Sequence, residues 1–198
     1  MNNLYKNKIS KIRNSIVISG WPAVGKTTIA NELSKELDYM VYNGGDVLKD
    51  LASERGYDVF GIDWWDTEEA KDFMEERESN PYFDIEVDRK LVDIVRNGNV
   101  IVTSYTLPWL VPESIKIWLK GSRSNRIKRM AKRDNLKIKD ARSILQQRDD
   151  NNVRIYKNLY GFEFGKDLTV FDFVLDTDLL NLENLLIISK LIVKNISI

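Results

Sequence analysis

Short apolar runs recur along this chain, and longer stretches that mix apolar and charged residues separate them. Five of the runs are rich in β-branched or aromatic residues and predict strands at 15–19, 40–42, 100–102, 115–119 and 171–175. Between them, stretches such as 89–95 and 126–134 have helical spacing. Strands that alternate with helices indicate a parallel sheet covered on both faces. We therefore expect an α/β fold built on a five-stranded parallel sheet.

Residues 20–27 read Gly-Trp-Pro-Ala-Val-Gly-Lys-Thr, a complete G-x-x-x-x-G-K-[ST] phosphate loop between the first predicted strand and a helix. Its glycines let backbone amides turn toward an anion, and the following helix adds its N-terminal dipole. Lys26 is expected to reach the β- and γ-phosphates as a catalytic residue, and Thr27 to ligate Mg²⁺. The predicted nucleoside triphosphate contacts are Gly20, Ala23, Val24, Gly25, Lys26, Thr27 and Thr28.

Composition limits what can surround this loop. The 198 residues include 30 basic and 30 acidic side chains and neither Cys nor His. A formal charge of zero gives no general attraction to nucleic acid or anionic membranes, and we expect neither as a partner. The missing Cys and His exclude disulfides and Cys/His zinc sites, fit a cytoplasmic protein, and leave proton transfer to Asp, Glu, Lys or Tyr. The apolar tail 185–198 is broken by Lys190 and Lys194, so we expect a terminal helix on the domain rather than a membrane span.

The first excursion from the sheet, about 47–97, is an insert that combines acids with aromatic side chains. Between 63 and 78 there are eight acidic residues but only two basic ones, Lys71 and Arg77. One interpretation is a solvated acidic helix whose aromatic residues build a small core. The other is a hood over an acceptor substrate, with one or two aromatic residues facing the ligand. Both interpretations can hold together.

The second excursion is basic. Its arginines include Arg126, Arg129, Arg133, Arg148 and Arg154. The first three share one helical face by their i, i+3, i+7 spacing. A solvated helix and a nucleic-acid-binding helix are alternatives, although no aromatic residue interleaves the basic run. Because phosphoryl transfer needs cations around the moving group, we favour a mobile lid over 134–156, with the last two arginines catalytic and Arg129 a further nucleotide contact.

Several segments resemble the archaeal type of cytidylate kinase, within the nucleoside monophosphate kinase group, over nearly the whole chain. They are the phosphate loop, GGDVLKDLASERG at 44–56, DIEVDR at 84–89, RIKRMAKR at 126–133, the stretch 148–156, YG at 160–161 and LDT at 175–177. The resemblance implies a single P-loop kinase domain over 1–198, with an acceptor-binding insert, a short arginine lid and an ATP·Mg²⁺ donor. It also implies a small-molecule phosphoryl acceptor bound by Lys49, Asp88 and Arg89, and places Arg148 and Arg154 in the lid.

Two positions depart from that family. After the third strand the family usually carries an acidic residue followed by Gly-Arg, and this arginine binds the phosphate of the nucleotide. In this chain, residues 102–109 instead read V-T-S-Y-T-L-P-W. Losing such a contact forfeits roughly 1.5–3 kcal/mol. The second departure is Asp46, where relatives usually carry Glu. A carboxylate can take the proton of an alcohol acceptor, so Asp46 is a candidate catalytic base, with helix capping or a water-mediated Mg²⁺ contact as alternatives.

These departures shift the expected acceptor. We expect ATP-dependent transfer to the hydroxyl of a small anionic metabolite, with mevalonate 3-phosphate first, because 11–26 resembles archaeal kinases of that substrate. The alternative is a cytidylate, CMP or dCMP. Apolar walls are expected from Trp109, Trp64 or Trp65. Two other classes stay open: a regulator that hydrolyses ATP slowly without an acceptor, and an RNA-binding protein whose affinity falls steeply with salt.

Overall fold

Five parallel strands form the sheet that the sequence predicts. A computed structural model describes residues 15–59, 68–80 and 82–196. The strands are β1 (Ile16–Gly20), β2 (Met40–Asn43), β3 (Val100–Thr103), β4 (Ile115–Lys120) and β5 (Phe173–Asp176). Their order is β2-β3-β1-β4-β5, and every neighbouring pair is parallel. All five predicted strands are confirmed, with ends that differ by at most two residues.

The helices of the described residues follow or flank these strands. They are α1 (Lys26–Leu37), α2 (Gly44–Glu54), α3 (Glu68–Ser79), α4 (Tyr82–Asn97), α5 (Leu107–Leu110), α6 (Arg123–Arg133), α7 (Ile138–Tyr160) and α8 (Leu182–Asn195). The predicted helical stretches 89–95 and 126–134 lie in α4 and α6. Most of the range predicted as a lid, 134–156, belongs to the single long helix α7 rather than to a separate loop.

The central strand β1 is covered on both faces. All five of its residues are buried, as expected for a parallel strand between two layers of helices. Alternate side chains of a strand point to opposite faces. Val17 joins an apolar cluster with residues of α2 and α4, whereas Ile16 and Ile18 join a cluster with residues of α1 and α8. Because all neighbouring strands are parallel, their carboxyl ends lie at one edge of the sheet, where ligands bind in open α/β sheets.

The insert has a small aromatic core of its own. Phe73 on α3 and Phe83 on α4 are fully buried, and their rings meet edge to face with 5.1 Å between centroids. Tyr57 packs on Phe73 in the same way, at 5.3 Å. These contacts confirm the interpretation that the aromatic residues hold the insert together. Trp64 and Trp65, which are predicted walls of the acceptor site, lie outside the described residues.

The C-terminal helix α8 packs on α1, which confirms the predicted terminal helix on the domain. Leu185 and Ser189 are buried, and Lys190 and Lys194 both form ion pairs with Glu36 near the end of α1. Among the described residues, none of the helices combines the length and the apolar character that crossing a membrane requires.

Candidate active site

The phosphate loop joins β1 to α1 with a backbone shape suited to an anion. Gly20 has a φ of +142°, and a Cβ there would lie 2.4 Å from the carbonyl oxygen of Leu119. Ala23 also has a positive φ, 62°. Gly25, with a φ of 100°, is the N-cap of α1, so no side chain of the cap residue accepts from the first amides of the helix. The loop therefore offers backbone N–H groups at the positive end of the helix dipole.

Lys26 folds back over this loop. Its Nζ donates hydrogen bonds to the carbonyl oxygens of Gly20 (2.8 Å) and Trp21 (3.0 Å), and it lies 4.7 Å from the centroid of the Tyr105 ring. Burial, assisted by the nearby positive charge of Arg126, lowers the pKa of Lys26 to about 7. A polyphosphate at the loop would favour the charged ammonium, so nucleotide binding should be accompanied by proton uptake near neutral pH.

Thr27 and Thr28 lie in the first turn of α1, and both are exposed. The Thr27 hydroxyl is at the same helix end as the loop amides, and it is a hard oxygen ligand of the kind that Mg²⁺ takes beside phosphate oxygens. The parts of the chain that the structure describes contain no cluster of three or more His, Cys, Asp or Glu residues that could hold a metal ion. The Thr27 hydroxyl at this helix end fits a magnesium ion that the nucleotide's phosphates and water would also hold.

Arg126 on α6 is buried against the phosphate loop. It forms a two-pronged ion pair with Asp149 on α7, with Nη1 at 3.0 Å and Nη2 at 2.8 Å from the carboxylate oxygens. Its guanidinium lies 5.4 Å from the Trp21 ring, and Nη1 donates to the carbonyl oxygen of Pro22 at 3.5 Å. This residue therefore connects α6, α7 and the loop.

The other two arginines of the predicted shared face have separate partners. Arg129 donates to the hydroxyl (2.8 Å) and the carbonyl oxygen (2.6 Å) of Thr177, so this predicted nucleotide contact lies just beyond the carboxyl end of β5. Arg133 forms an ion pair with Asp134 in which the arginine side chain is 58% exposed. Only Arg126 of the three is buried.

The predicted lid arginines, Arg148 and Arg154, are exposed on α7. Arg154 donates to Asn151 Oδ1 at 3.1 Å. Burial raises the pKa of Tyr105, and the charge of Arg148 opposes that rise. The Lys26 ammonium lies over the same tyrosine ring, so Arg148 and the phosphate loop act on a common side chain.

Asp46, the candidate base, lies in the first turn of α2 just after β2. Its carboxylate accepts a hydrogen bond from Asn43 Nδ2 at 2.7 Å, and Asn43 Oδ1 accepts one from Thr103 Oγ1 at 2.7 Å. This chain of hydrogen bonds joins Asp46 to the carboxyl end of β3. Lys49 is one turn further along α2 and is half-buried.

Asp88 and Arg89, both predicted acceptor contacts, lie on different sides of α4. Asp88 is buried and accepts hydrogen bonds from the hydroxyls of Thr106 and Tyr160, the latter at 2.6 Å. Burial raises the pKa of Asp88 to about 6 in spite of these donors. The Arg89 side chain is 71% exposed and lies 4.0 Å from Glu86. The structure thus brings Asp88, but not Arg89, beside the loop that follows β3.

Sequence reasoning missed the polar groups buried around Asp88. Arg77 on α3 donates to both carboxylate oxygens of Asp84 on α4, at 3.0 and 2.7 Å. The sequence around Arg77 indicates this role only in that Arg77 is a single arginine within a run of acidic residues. Nothing local indicates the contact of Tyr160 with Asp88, because the two residues are 72 positions apart.

Comparison with known proteins shows the family and the fold of this chain. A sequence model described as the cytidylate kinase-like family matches residues 15–179. A cytidylate kinase of Pyrobaculum islandicum is 33% identical over 176 residues, which cover 88% of this chain and 89% of that protein. A cytidylate kinase of Methanopyrus kandleri is 30% identical over 173 residues, with coverages of 82% and 83%. The structure of shikimate kinase from Acinetobacter baumannii in complex with shikimate has a TM-score of 0.53 at 14% identity, covers 96% of this chain and 99% of its own, and confirms the fold alone.

Proposed function

This chain belongs to the cytidylate kinase-like family, and we propose that it transfers the γ-phosphoryl group of ATP to a cytidylate, CMP or dCMP. The predicted ATP-dependent phosphotransferase activity is confirmed, because the relatives are kinases, and kinases of this family use ATP with Mg²⁺. The observation that carries the proposal is a complete phosphate loop, with Lys26 folded over it, in a chain whose relatives are named cytidylate kinases. The relatives favour the second of the two acceptors expected from the sequence over mevalonate 3-phosphate.

On the donor side, the phosphate loop binds the triphosphate through the amides at the start of α1. Lys26 exchanges the carbonyl oxygens of Gly20 and Trp21 for the β- and γ-phosphate oxygens and neutralises the charge that develops on them. The Thr27 hydroxyl would help to hold Mg²⁺ beside the nucleotide, and that ion would supply further charge neutralisation. Arg129, Arg148 and Arg154 are the proposed additional cations, and movement of α7 would exclude water from the transfer.

On the acceptor side, the insert and the loop after β3 enclose the second substrate. Lys49 supplies positive charge from α2, and Asp88 supplies a buried carboxylate from α4. The phosphate of a nucleotide is already an anionic nucleophile and needs no base. Asp46 would therefore contribute little to the chemical step with a cytidylate.

A second candidate acceptor is mevalonate 3-phosphate. One observation favours it: the last residue of β3 and the loop after it offer the Thr103 hydroxyl and the Tyr105 ring in the region where the resembled family carries an acid and an arginine. Thr103 is hydrogen-bonded through Asn43 to the Asp46 carboxylate, so this carboxylate lies near the ends of β2 and β3. A carboxylate there would take the proton of an alcohol acceptor and so make its hydroxyl a better nucleophile.

An ADP-release screen separates these acceptors. Purified protein with Mg·ATP would be offered CMP, dCMP, UMP, mevalonate, mevalonate 3-phosphate and mevalonate 5-phosphate at equal concentration. The proposal predicts that CMP or dCMP raises ADP release above the rate without an acceptor. Stimulation by mevalonate 3-phosphate alone would replace it with the second candidate. An equal rate in every arm would indicate a regulator that hydrolyses ATP.

Asp46→Asn adds a test of mechanism. If the acceptor is a cytidylate, kcat should change by less than about threefold; if it is an alcohol, kcat should fall by about 10²–10⁴-fold, the usual contribution of a general base. Asp50→Asn is the matched control, because Asp50 is, like Asp46, an exposed aspartate of α2, but it lies one turn further from the end of β2. A large loss of kcat with CMP would contradict the base-free mechanism.

A further inference from the structure

Arg77 is a buried cation in the insert. Its side chain is 12% exposed and that of its partner Asp84 is 9% exposed. Burial acts to lower the pKa of Arg77, but the charge of Asp84 and its hydrogen bonds more than reverse this effect, so the guanidinium stays charged. Removing such a pair from water is costly, and apolar side chains can join two helices at least as well. The fold alone therefore does not require an arginine here.

A series of neighbouring residues leads from this ion pair to the phosphate loop. Asp84 and Asp88 are one turn apart on α4 and lie on the same helix face. Asp88 accepts a hydrogen bond from the hydroxyl of Thr106, which directly follows Tyr105. The ring of Tyr105 lies 4.7 Å from Lys26 Nζ. The path from Arg77 to Lys26 thus runs through the loop at the carboxyl end of β3.

Several positive charges act on Tyr105, which lies between Arg77 and Lys26 in this series of residues. Burial raises the pKa of Tyr105, and the charges of Arg148 and Arg77 both oppose the rise. The loop from 103 to 109 contains neither Lys nor Arg. The positive charges that act on Tyr105 therefore come from Lys26 in the phosphate loop, from Arg148 on α7 and from Arg77 in the insert.

We propose that Arg77, oriented by Asp84, binds the anionic group of the phosphoryl acceptor and so determines which acceptors the enzyme accepts. The inference rests on the proposed function, since it needs a second substrate beneath the insert. A guanidinium carries five N–H donors in one plane, so it can bind a phosphate or carboxylate while Asp84 accepts from Nε and Nη2. Both candidate acceptors carry an anionic group. The role assigned to Arg77 therefore does not depend on which of them is the substrate.

The test uses variants that keep the helix contact while changing the charge. The double variant Arg77→Gln with Asp84→Asn replaces the ion pair by a neutral pair that can still form hydrogen bonds. Arg77→Lys keeps the positive charge but removes the planar guanidinium. The matched control is Lys90→Gln with Glu54→Gln, which neutralises another ion pair of the insert whose side chains are 34% and 59% exposed. For the neutral pair we expect the KM of the acceptor to rise about ten- to hundredfold while Mg·ATP affinity stays within about twofold. Arg77→Lys should give an intermediate KM, and the control should match the wild type.

A binding measurement keeps this inference separable from the proposed acceptor. Protein saturated with Mg²⁺ and a non-hydrolysable ATP analogue would be titrated with inorganic phosphate in a calorimeter. We expect wild-type protein to bind phosphate at millimolar concentration, and the neutral pair to bind at least about fivefold more weakly. A folded neutral pair with unchanged KM and phosphate affinity, or wild-type protein that binds no phosphate, would overturn the assignment. If the neutral pair does not fold, an Arg77→Lys variant identical to wild type in both assays would overturn it. Wild-type protein that binds phosphate but phosphorylates neither acceptor would refute the proposed function alone.

Discussion

The buried ion pair between Arg126 and Asp149 allows a quantitative prediction about stability. The side chains of Arg126 and Asp149 are 6% and 13% exposed. Arg126 Nε is buried and has no hydrogen-bond partner in the described residues, so Asp149 provides most of the compensation for burying the guanidinium. Asp149→Asn removes the negative charge and leaves the positive one in place. Removing one partner of a buried pair costs about 3–5 kcal/mol, out of a total stability of roughly 5–15 kcal/mol.

The measurement is urea unfolding followed by circular dichroism, together with thermal melting. For a chain of this size, 1 kcal/mol shifts Tm by about 2–4 °C, so the Asp149→Asn variant should melt roughly 6–20 °C below wild type. Asp134→Asn is the matched control, because Asp134 pairs with another arginine of α6 at an exposed position. The control should lose no more than about 1 kcal/mol.

A double variant isolates the cause. Arg126→Met with Asp149→Leu removes both charges, and apolar replacement of buried pairs is often neutral or stabilising. It should therefore recover most of the stability that Asp149→Asn loses. A loss below about 1 kcal/mol in the single variant, or a double variant less stable than the single one, would refute the reasoning that the unpaired buried charge determines the effect.

Three further predictions concern other residues. Lys26→Ala should lower turnover by about 10²-fold or more without lowering Tm, because Lys26 neutralises phosphate charge rather than filling the core; retained activity in a kinase assay would contradict its role. Gly165→Ala should lose about 1–3 kcal/mol more than Gly161→Ala in urea unfolding, since the two glycines have φ of +77° and +76° but only a Cβ at 165 would collide with Trp21, at 2.3 Å; equal losses would count against the close contact. The pKa of Asp88 is raised to about 6, so the folded state takes up a proton there before the unfolded chain does, and wild-type stability relative to Asp88→Asn should rise as pH falls from 7 to 5; a constant difference across that range would argue against the raised pKa.

The elements of the fold could be predicted because their signals are local. Each strand is a short apolar run, and β1 and β3 are buried along their whole length, so their sequences are almost continuously apolar. The phosphate loop is set by the spacing of Gly20, Gly25 and Lys26, and the structure places all three at the strand-to-helix turn. The apolar pattern does not determine the exact ends of the strands, because a strand can gain or lose a terminal residue without changing that pattern.

The polar contacts of the site could not be predicted, because they join residues that are distant in sequence. Arg126 and Asp149 are 23 residues apart, and Asp88 and Thr106 are 18 apart. Helical spacing correctly places Arg126 and Arg129 near one face but does not reveal that one is buried on Asp149 and the other bonds to Thr177. Such pairings depend on how helices pack, which periodicity does not specify.

A single-turnover experiment with γ-labelled ATP tests the central claim most directly. Enzyme in excess over labelled Mg·ATP would be mixed with CMP, with mevalonate 3-phosphate or with neither, and the products would be separated and counted. We predict that the label moves to the cytidylate, giving a labelled diphosphate, and stays on ATP when no acceptor is present. Label that appears as inorganic phosphate at the same rate in all three mixtures would contradict transfer to an acceptor.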